Sequence, residues 1–311
     1  MSNILIIKHG SLGDLVQANG AIKDIKNANK DSKVFLLTSR HYLNLMSQCP
    51  YIDGVLIDKR LPRWNLVYLY NLKRILTKYN FSIIFDLQNS SRTRFYRKFL
   101  LRNLKWSSSE TILEPGQKKK DFDKEPVLER FKVQLEKSNI ATQNVKQIDL
   151  SWAFEDISKL IRQYSNEGYF LIFPFCSKKN SVKKWPYFKK LISEIKLKYK
   201  NKYPILVAPG FDEIEEAKTL NAKIILDDKG NPISLNKLIS LISNAKFVIS
   251  NDTGPAHICS HLNKKGVALF GSHTSAKKVS VGSSQFKTIS VENLSDLKVK
   301  QVIYEIQSNL D

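Results

Sequence analysis

Cysteine is scarce in this chain, and the few present do not cluster. Cys49, Cys176 and Cys259 are odd in number, far apart and form no CxxC pair. That argues against a disulfide framework or a structural zinc site and fits a reducing compartment. Long apolar runs are missing too, with nothing near the roughly 20 residues that a bilayer-crossing helix needs. The opening Met1–Lys8 segment has no basic n-region and no cleavage site, so it reads as a buried strand. Internal repeats and low-complexity tails are absent. Negative charge is short: 29 Asp and Glu stand against 50 Lys and Arg, a formal net charge of +21. Such an excess suits a polyanionic partner, either nucleic acid or an anionic membrane surface. It also arises from lysines spread over solvated helix faces, and most lysines here are dispersed singly or in pairs.

What is present is a rhythm. Short apolar strands alternate with amphipathic helical stretches. Strands are expected at Ile4–Lys8, Val34–Thr38, Val55–Ile57 and Ser82–Asp86. Helices are expected over Leu15–Ile25, Leu66–Tyr79 and Ser91–Leu104. The rhythm breaks between about Gln117 and Leu150, apart from a helix near Val127–Lys137, and then restarts. Strands follow at Tyr169–Phe173, Ile205–Ala208, Lys223–Leu226, Phe247–Ser250 and Val267–Phe270. They alternate with helices at Trp185–Lys200, Glu213–Leu220, Leu235–Ser243, Pro255–Leu262 and Val299–Gln307. This order predicts an α/β chain of two Rossmann-like, doubly wound domains facing a cleft, residues 1–150 and 151–311. The last helix closes the second domain or packs back on the first. In such sheets ligands sit beyond the carboxyl ends of the strands, so the strand-to-helix turns are where chemistry is sought.

Three turns stand out. Lys8-His9-Gly10-Ser11-Leu12-Gly13-Asp14 sets two glycines and a carboxylate at the start of the first helix. It is neither a Walker loop nor GxGxxG, and Asp14 reads either as a site carboxylate or as a helix cap. Ser250-Asn251-Asp252-Thr253-Gly254-Pro255-Ala256-His257 opens a helix with proline just inside its start, so the free N–H groups suit a diphosphate. Asp252 can take sugar hydroxyls there, and Thr253 and His257 can reach phosphate oxygens. The third turn holds Cys176-Ser177-Lys178-Lys179 and then Lys183-Lys184-Trp185-Pro186, a source of positive charge for a leaving diphosphate. His257 and His261 are four apart, but the glutamate of HExxH is missing and no acidic third ligand is near, so neither a metal nor another cofactor is expected.

Together these turns resemble glycosyltransferase family 9, the lipopolysaccharide heptosyltransferases and their relatives, over nearly the whole chain. The strongest match is the run Ser250–His257 with Val267-Ala268-Leu269-Phe270-Gly271-Ser272 after it. Lys183-Lys184-Trp185-Pro186, Ser11-Leu12-Gly13-Asp14 and Asp86-Leu87-Gln88 support it. The resemblance implies a GT-B fold and inverting, metal-independent transfer from a nucleotide diphosphate sugar, ADP-heptose-like, to a lipid-linked saccharide such as lipopolysaccharide core. It implies cytoplasmic work, peripheral to the inner face of the cytoplasmic membrane. It makes Asp14 the base, and Ser177, Lys183, Glu213, Asp252, Thr253, Gly254, Pro255 and His257 the donor-binding set. Ser11, Gly13, Gln88, Arg92 and Arg94 fall on the acceptor side. Two departures lie near the donor: Pro174-Phe175 replaces the usual Pro-Gly, and His273-Thr274-Ser275 replaces Thr-Asp-Pro. A nucleotide-sugar epimerase on the same architecture is the alternative. A nucleic-acid-binding module lacks any RRM, KH or helix-turn-helix signature.

The segment Ser91–Leu104 is the densest in arginine. Phe95, Phe99 and Leu100 can share a helical face, with Arg92, Arg94, Arg97, Lys98 and Arg102 around it. That pattern suits an anionic membrane surface, or equally a core-facing stripe with solvated arginines.

Overall fold

The computed structural model describes residues 2–164 and 167–310. The chain divides into two compact units, Met1–Trp152 and Ala153–Asp311.

The first unit is built on five parallel strands: β1 (Asn3–Ile7), β2 (Lys33–Thr38), β3 (Gly54–Ile57), β4 (Phe81–Asp86) and β5 (Lys105–Ser107), in the order β3-β2-β1-β4-β5. Its main helices are α1 (Leu12–Ala28), α2 (Leu66–Thr77), α3 (Ser91–Phe95) and α4 (Val127–Glu136). Central β1 is apolar on both faces, as a strand covered by helices on both sides must be, and Ile4 to Ile7 are all buried. The strand order reverses between β1 and β4, which puts the Lys8–Asp14 turn and the Asp86–Gln88 turn side by side at the carboxyl edge. The end of the unit is fastened back on α1. Asp24 accepts the backbone N–H groups of Asn144 and Val145, and Gly20 leaves room for the Asn144 carbonyl, which any side chain there would strike.

The second unit has six parallel strands: β6 (Phe170–Phe173), β7 (Ile205–Val207), β8 (Lys223–Ile224), β9 (Phe247–Asn251), β10 (Gly266–Phe270) and β11 (Phe286–Ser290), in the order β11-β10-β9-β6-β7-β8. Its main helices are α5 (Phe188–Lys198), α6 (Leu235–Asn244), α7 (Gly254–His261) and α8 (Val299–Leu310). Here the order reverses between β6 and β9, so the turns after Phe173 and after Asn251 meet at one edge.

Two expectations need correction. The helix expected over Ser91–Leu104 is regular only to Phe95, continues as a π-helical turn at Tyr96–Leu100, and closes with the Leu101 N–H on the Tyr96 carbonyl. The residues beyond it form β5, an edge strand too short and polar to announce itself. Of the two readings of the Phe95–Leu100 face, the core-facing one holds for Tyr96, which is fully buried, and for Phe95 and Leu100, which pack on the first unit's core, while Phe99 is exposed. The helix expected from Trp185 starts at Phe188, because Trp185 is locked into the core with its N–H on Asn251 Oδ1 and its indole N–H on the Leu297 carbonyl. The last helix, α8, belongs to the second unit. Val299, Val302, Ile303 and Ile306 make one apolar stripe, which fills the second unit's own core against α5 and β10.

Candidate active site

At the edge of the first unit, Gly10 takes φ +108°, where a side chain would also strike the Tyr42 ring. The chain can then turn into α1 with Asp14 in its first turn. Asp14 Oδ2 accepts the Ser11 N–H at 2.8 Å and the Ser11 hydroxyl at 2.9 Å. The side chain stays 41% exposed, while Lys8 Nζ stands 3.9 Å from its Oδ1. Lys8 is buried and donates to the Leu87 carbonyl at 3.1 Å. Burial lowers its ammonium pKa against the opposing pull of Asp14 and Asp86. The carboxylate thus ties the start of α1 and still stands partly open to solvent beside a cation, so the two readings of Asp14 are compatible. Gly13 is buried beneath it.

Gln88 serves this turn from the next strand: its Oε1 accepts the His9 N–H at 2.9 Å. Asp86, whose carboxyl burial raises despite bonds from Thr93, Asn89 and Gln88, shapes the Gln88 turn. Arg92 donates to the carbonyls of Leu61 (2.9 Å) and Arg60 (3.2 Å) and to the Tyr96 hydroxyl. Arg94 pairs with Glu110, as Arg97 does. Of the residues expected on the acceptor side, Ser11, Gly13 and Gln88 gather at the Asp14 turn, whereas Arg92 is bound to the Arg60 and Leu61 carbonyls and Arg94 to Glu110.

Sequence reading missed a buried network beneath this turn. His9 Nε2 lies 2.8 Å from Asp58 Oδ2, and Asp58 also takes the hydroxyls of Tyr68 and Tyr96. Burial alone would raise the Asp58 carboxyl, but the His9 ring and the two hydroxyls outweigh it and hold the group at about 2. A carboxyl lowered from the ordinary ~3.9 to that value stabilises the fold above pH ~4, and the contribution is lost as pH falls through about 2. Asp58→Asn is expected to cost on the order of 2–3 kcal/mol at pH 7, with the gap from wild type closing toward pH ~2. Urea unfolding of both proteins across that range checks it; a gap unchanged with pH would mean that the network carries no net charge stabilisation.

At the edge of the second unit, the candidate donor residues come together on the turns after β6, β7, β9 and β10. Thr253 stands at the position before α7 with its hydroxyl turned to the Asn251 carbonyl, Gly254 and Pro255 begin the helix, and His257 lies buried one turn in. Lys183 ends a 3-10 turn, Lys178–Lys183, and donates to Asp252 Oδ2 at 2.6 Å and to the Asp252 carbonyl at 3.4 Å. His273 Nε2 reaches the same Oδ2 at 3.0 Å. The departure at position 273 therefore bears directly on the site, which the sequence placed only near the donor. Asn251 ties the edge together by accepting from the Trp185 N–H and donating to the Pro174 carbonyl. Ser177 is exposed, with its Oγ accepting from Asn180 at 3.0 Å. Glu213 accepts the Gly210 N–H at 2.8 Å; burial raises its carboxyl, with Glu216 and Asp212 adding to the rise. A pocket of about 690 Å³ opens beside His273, lined by Gly271, Ser272, Glu292 and Asn293 among others.

His261 is held neutral by burial and by His257, down to about 3. Among the described residues, no group of three or more His, Cys, Asp or Glu side chains gathers as a metal site would. Nor is any helix among them long and apolar enough to cross a membrane.

Comparison with known proteins gives this arrangement a context. Residues 69–303 match the family model described as "Glycosyltransferase family 9 (heptosyltransferase)". Lipopolysaccharide heptosyltransferase 1 of Campylobacter coli is 23% identical over 291 residues, covering 86% of this chain and 83% of that protein. Among solved structures, the glycosyl transferase family 9 protein of Veillonella parvula DSM 2008 superimposes with a TM-score of 0.74 at 16% identity, covering 99% of this chain and 97% of the other. E. coli heptosyltransferase WaaC with ADP gives 0.72 at 17% identity, covering 99% of each chain. Two parallel-sheet units with these folds and this family match make the protein a glycosyltransferase of the GT-B architecture. Within that class, the chain belongs to glycosyltransferase family 9. The match sets sugar transfer above epimerisation.

Proposed function

We propose that the protein moves a heptose-like sugar from a nucleoside diphosphate, with ADP the leading candidate, to a saccharide on a lipid carrier such as lipopolysaccharide core, with inversion and without a metal. The observation that carries this reading is the meeting of Lys183, Asp252 and the Thr253 and Gly254 amides at the start of α7 on one strand edge. A cation beside the Thr253 and Gly254 N–H groups is what a departing diphosphate needs, since Pro255 has no N–H and that of Ala256 is already given to the Thr253 carbonyl. Asp252, held by Lys183 and His273, is poised to take sugar hydroxyls, and Ser177 and Glu213 stand on the neighbouring turns for phosphate and nucleoside. The printed names of the relatives support the donor and acceptor: the Campylobacter coli protein is a lipopolysaccharide heptosyltransferase, and the E. coli WaaC structure carries ADP.

In the displacement, the acceptor hydroxyl oxygen attacks the anomeric carbon from the face opposite the nucleotide. Its proton passes to Asp14, the bond from the anomeric carbon to the diphosphate oxygen breaks, and Lys183 and the α7 amides take up the charge that develops. Nucleotide sugars are made in the cytoplasm, so the reaction belongs at the inner face of the membrane, with the enzyme peripheral to it. A thermal-shift screen of nucleoside diphosphates tests the donor: a ligand present at ~100 times its Kd stabilises by about 2.7 kcal/mol. ADP is expected to give the largest shift. Stabilisation by a different nucleoside diphosphate and none by ADP would overturn the assignment.

A further inference from the structure

The first unit carries an apolar surface that its own fold does not use. α2 buries Tyr68, Leu69, Leu72 and Leu76, a complete core-facing stripe, so its opposite face should be polar. Instead, the solvent side of its first turns and the loop before it are apolar. Trp64 is 80% exposed, Leu66 74%, Val67 72% and Tyr70 67%. Leu61 is exposed beside them. Arg63 stands 5.8 Å over the Phe95 ring, and Phe95 lies 4.8 Å from the ring of exposed Phe99.

Charge around this surface has one sign. Residues 59–85 contain no Asp or Glu, but they hold Lys59, Arg60, Arg63, Lys73, Arg74 and Lys78. Lys59, Arg60, Lys73 and Arg74 are exposed, and none of them forms an ion pair among the described residues. Arg94 of α3 and Arg97 of the π-helical turn after it differ, since both are spent on Glu110. Exposed tryptophan, tyrosine and aliphatic side chains inside a rim of uncommitted cations suit the boundary between headgroups and acyl chains of an anionic bilayer.

The surface is also wired to the base. The loop begins directly after Asp58, whose carboxylate stands against His9 in the Asp14 turn. Arg92 holds the loop by the carbonyls of Arg60 and Leu61. An acceptor anchored in lipid would thus meet the reacting edge of the first unit where the protein meets the lipid.

We propose that the segment Leu61–Tyr70 docks the protein on an anionic phospholipid membrane. Trp64, Leu66, Val67 and Tyr70 enter the boundary, and Lys59, Arg60, Lys73 and Arg74 bind the phosphate headgroups. This names the surface for the peripheral placement proposed above, but it rests on that reading only for its biological setting, since binding is measured with neither donor nor acceptor.

The test is sedimentation of the full chain with phosphatidylcholine vesicles with and without phosphatidylglycerol, over a salt series. Wild type is expected to bind the anionic vesicles in a salt-sensitive way. The triple variant Trp64→Ser/Leu66→Ser/Val67→Ser should bind at least about tenfold more weakly, as the loss of several inserted side chains implies. The double variant Lys73→Gln/Arg74→Gln should keep the apolar contact and lose part of the salt dependence, and it covers the case in which the triple variant does not fold. Circular dichroism melting and nucleoside diphosphate binding check that both stay native. Equal binding of wild type to neutral and anionic vesicles, or variants that bind like wild type, would overturn the proposal. So would a wild-type dimer in sedimentation velocity that the triple variant dissolves, because the patch would then belong to a second copy. Vesicle binding without heptosyl transfer would count against the proposed reaction and leave the docking surface standing.

Discussion

Asp14→Asn is expected to lower the initial rate of transfer by about 10²–10⁴-fold while leaving donor affinity within about twofold of wild type. Asparagine keeps an oxygen where Oδ2 accepts the Ser11 N–H and hydroxyl, so the turn and the start of α1 survive. What it loses is the ability to take a proton from the acceptor hydroxyl, together with the charge facing Lys8 at 3.9 Å. The stability cost should be small, about 1 kcal/mol or less for a cap at the positive end of a helix. Initial rates and donor titrations measured in parallel separate the two effects. A variant that retains more than about a tenth of the wild-type rate would remove Asp14 as the base. A variant that loses rate and melts far below wild type would show a structural role instead.

Lys183→Ala is expected to weaken nucleoside diphosphate binding by about 10–100-fold, the loss that accompanies one charge-assisted hydrogen bond to a charged group. The ammonium sits on Asp252 Oδ2 at 2.6 Å in the free protein and is only partly exposed, so it is held where a diphosphate would draw on it. His273 remains on the same oxygen in the variant, which limits disruption of Asp252 itself. Because the leaving group gains charge as the bond breaks, kcat/KM should fall at least as far as affinity. Calorimetric titration with the diphosphate tests the lysine, and initial rates with and without a chelator test metal independence. Unchanged affinity in the variant would move the diphosphate elsewhere, and activity abolished by the chelator would end the metal-independent mechanism.

Most of the architecture was legible because it repeats: apolar strands such as Ile4–Ile7 and helices such as α1 carry their period in the sequence. What escaped was short, polar or long-range. β5 is three residues at a sheet edge and β11 alternates with polar positions, so neither stands out from a loop. The Ser250–His257 run was legible, since proline, glycine and threonine at those positions announce a capped helix opening on a turn. The partners that give the run its electrostatics were not. Lys183 and His273 are distant from Asp252 in sequence, and only β6-β9-β10 pairing brings them together. The same holds for His9 and Asp58. The apolar surface at Leu61–Tyr70 had a signal that periodicity reading passed over. Leu66-Val67-Tyr68-Leu69-Tyr70 is apolar all round the helix, more than one buried stripe can use. Ser91–Leu104 is denser in arginine, and there Arg94 and Arg97 pair with Glu110 and Arg92 holds the Arg60 and Leu61 carbonyls, while Lys98 and Arg102 stay exposed.

The strand order has a consequence for how the chain is made. In each unit the first strand synthesised lies in the middle of the finished sheet. β1 reaches its partner β4, and β6 its partner β9, only roughly 80 residues further along; at 5–20 residues per second on the ribosome, about 4–16 seconds separate their emergence. Throughout that interval an all-apolar strand presents an unpaired edge to the cytosol, and the contacts that will cover it are non-local and slow to form. Nascent chains stalled before Phe81 or before Phe247 should therefore be the ones that chaperones hold most strongly, and the release of each should coincide with the arrival of its missing neighbour strand.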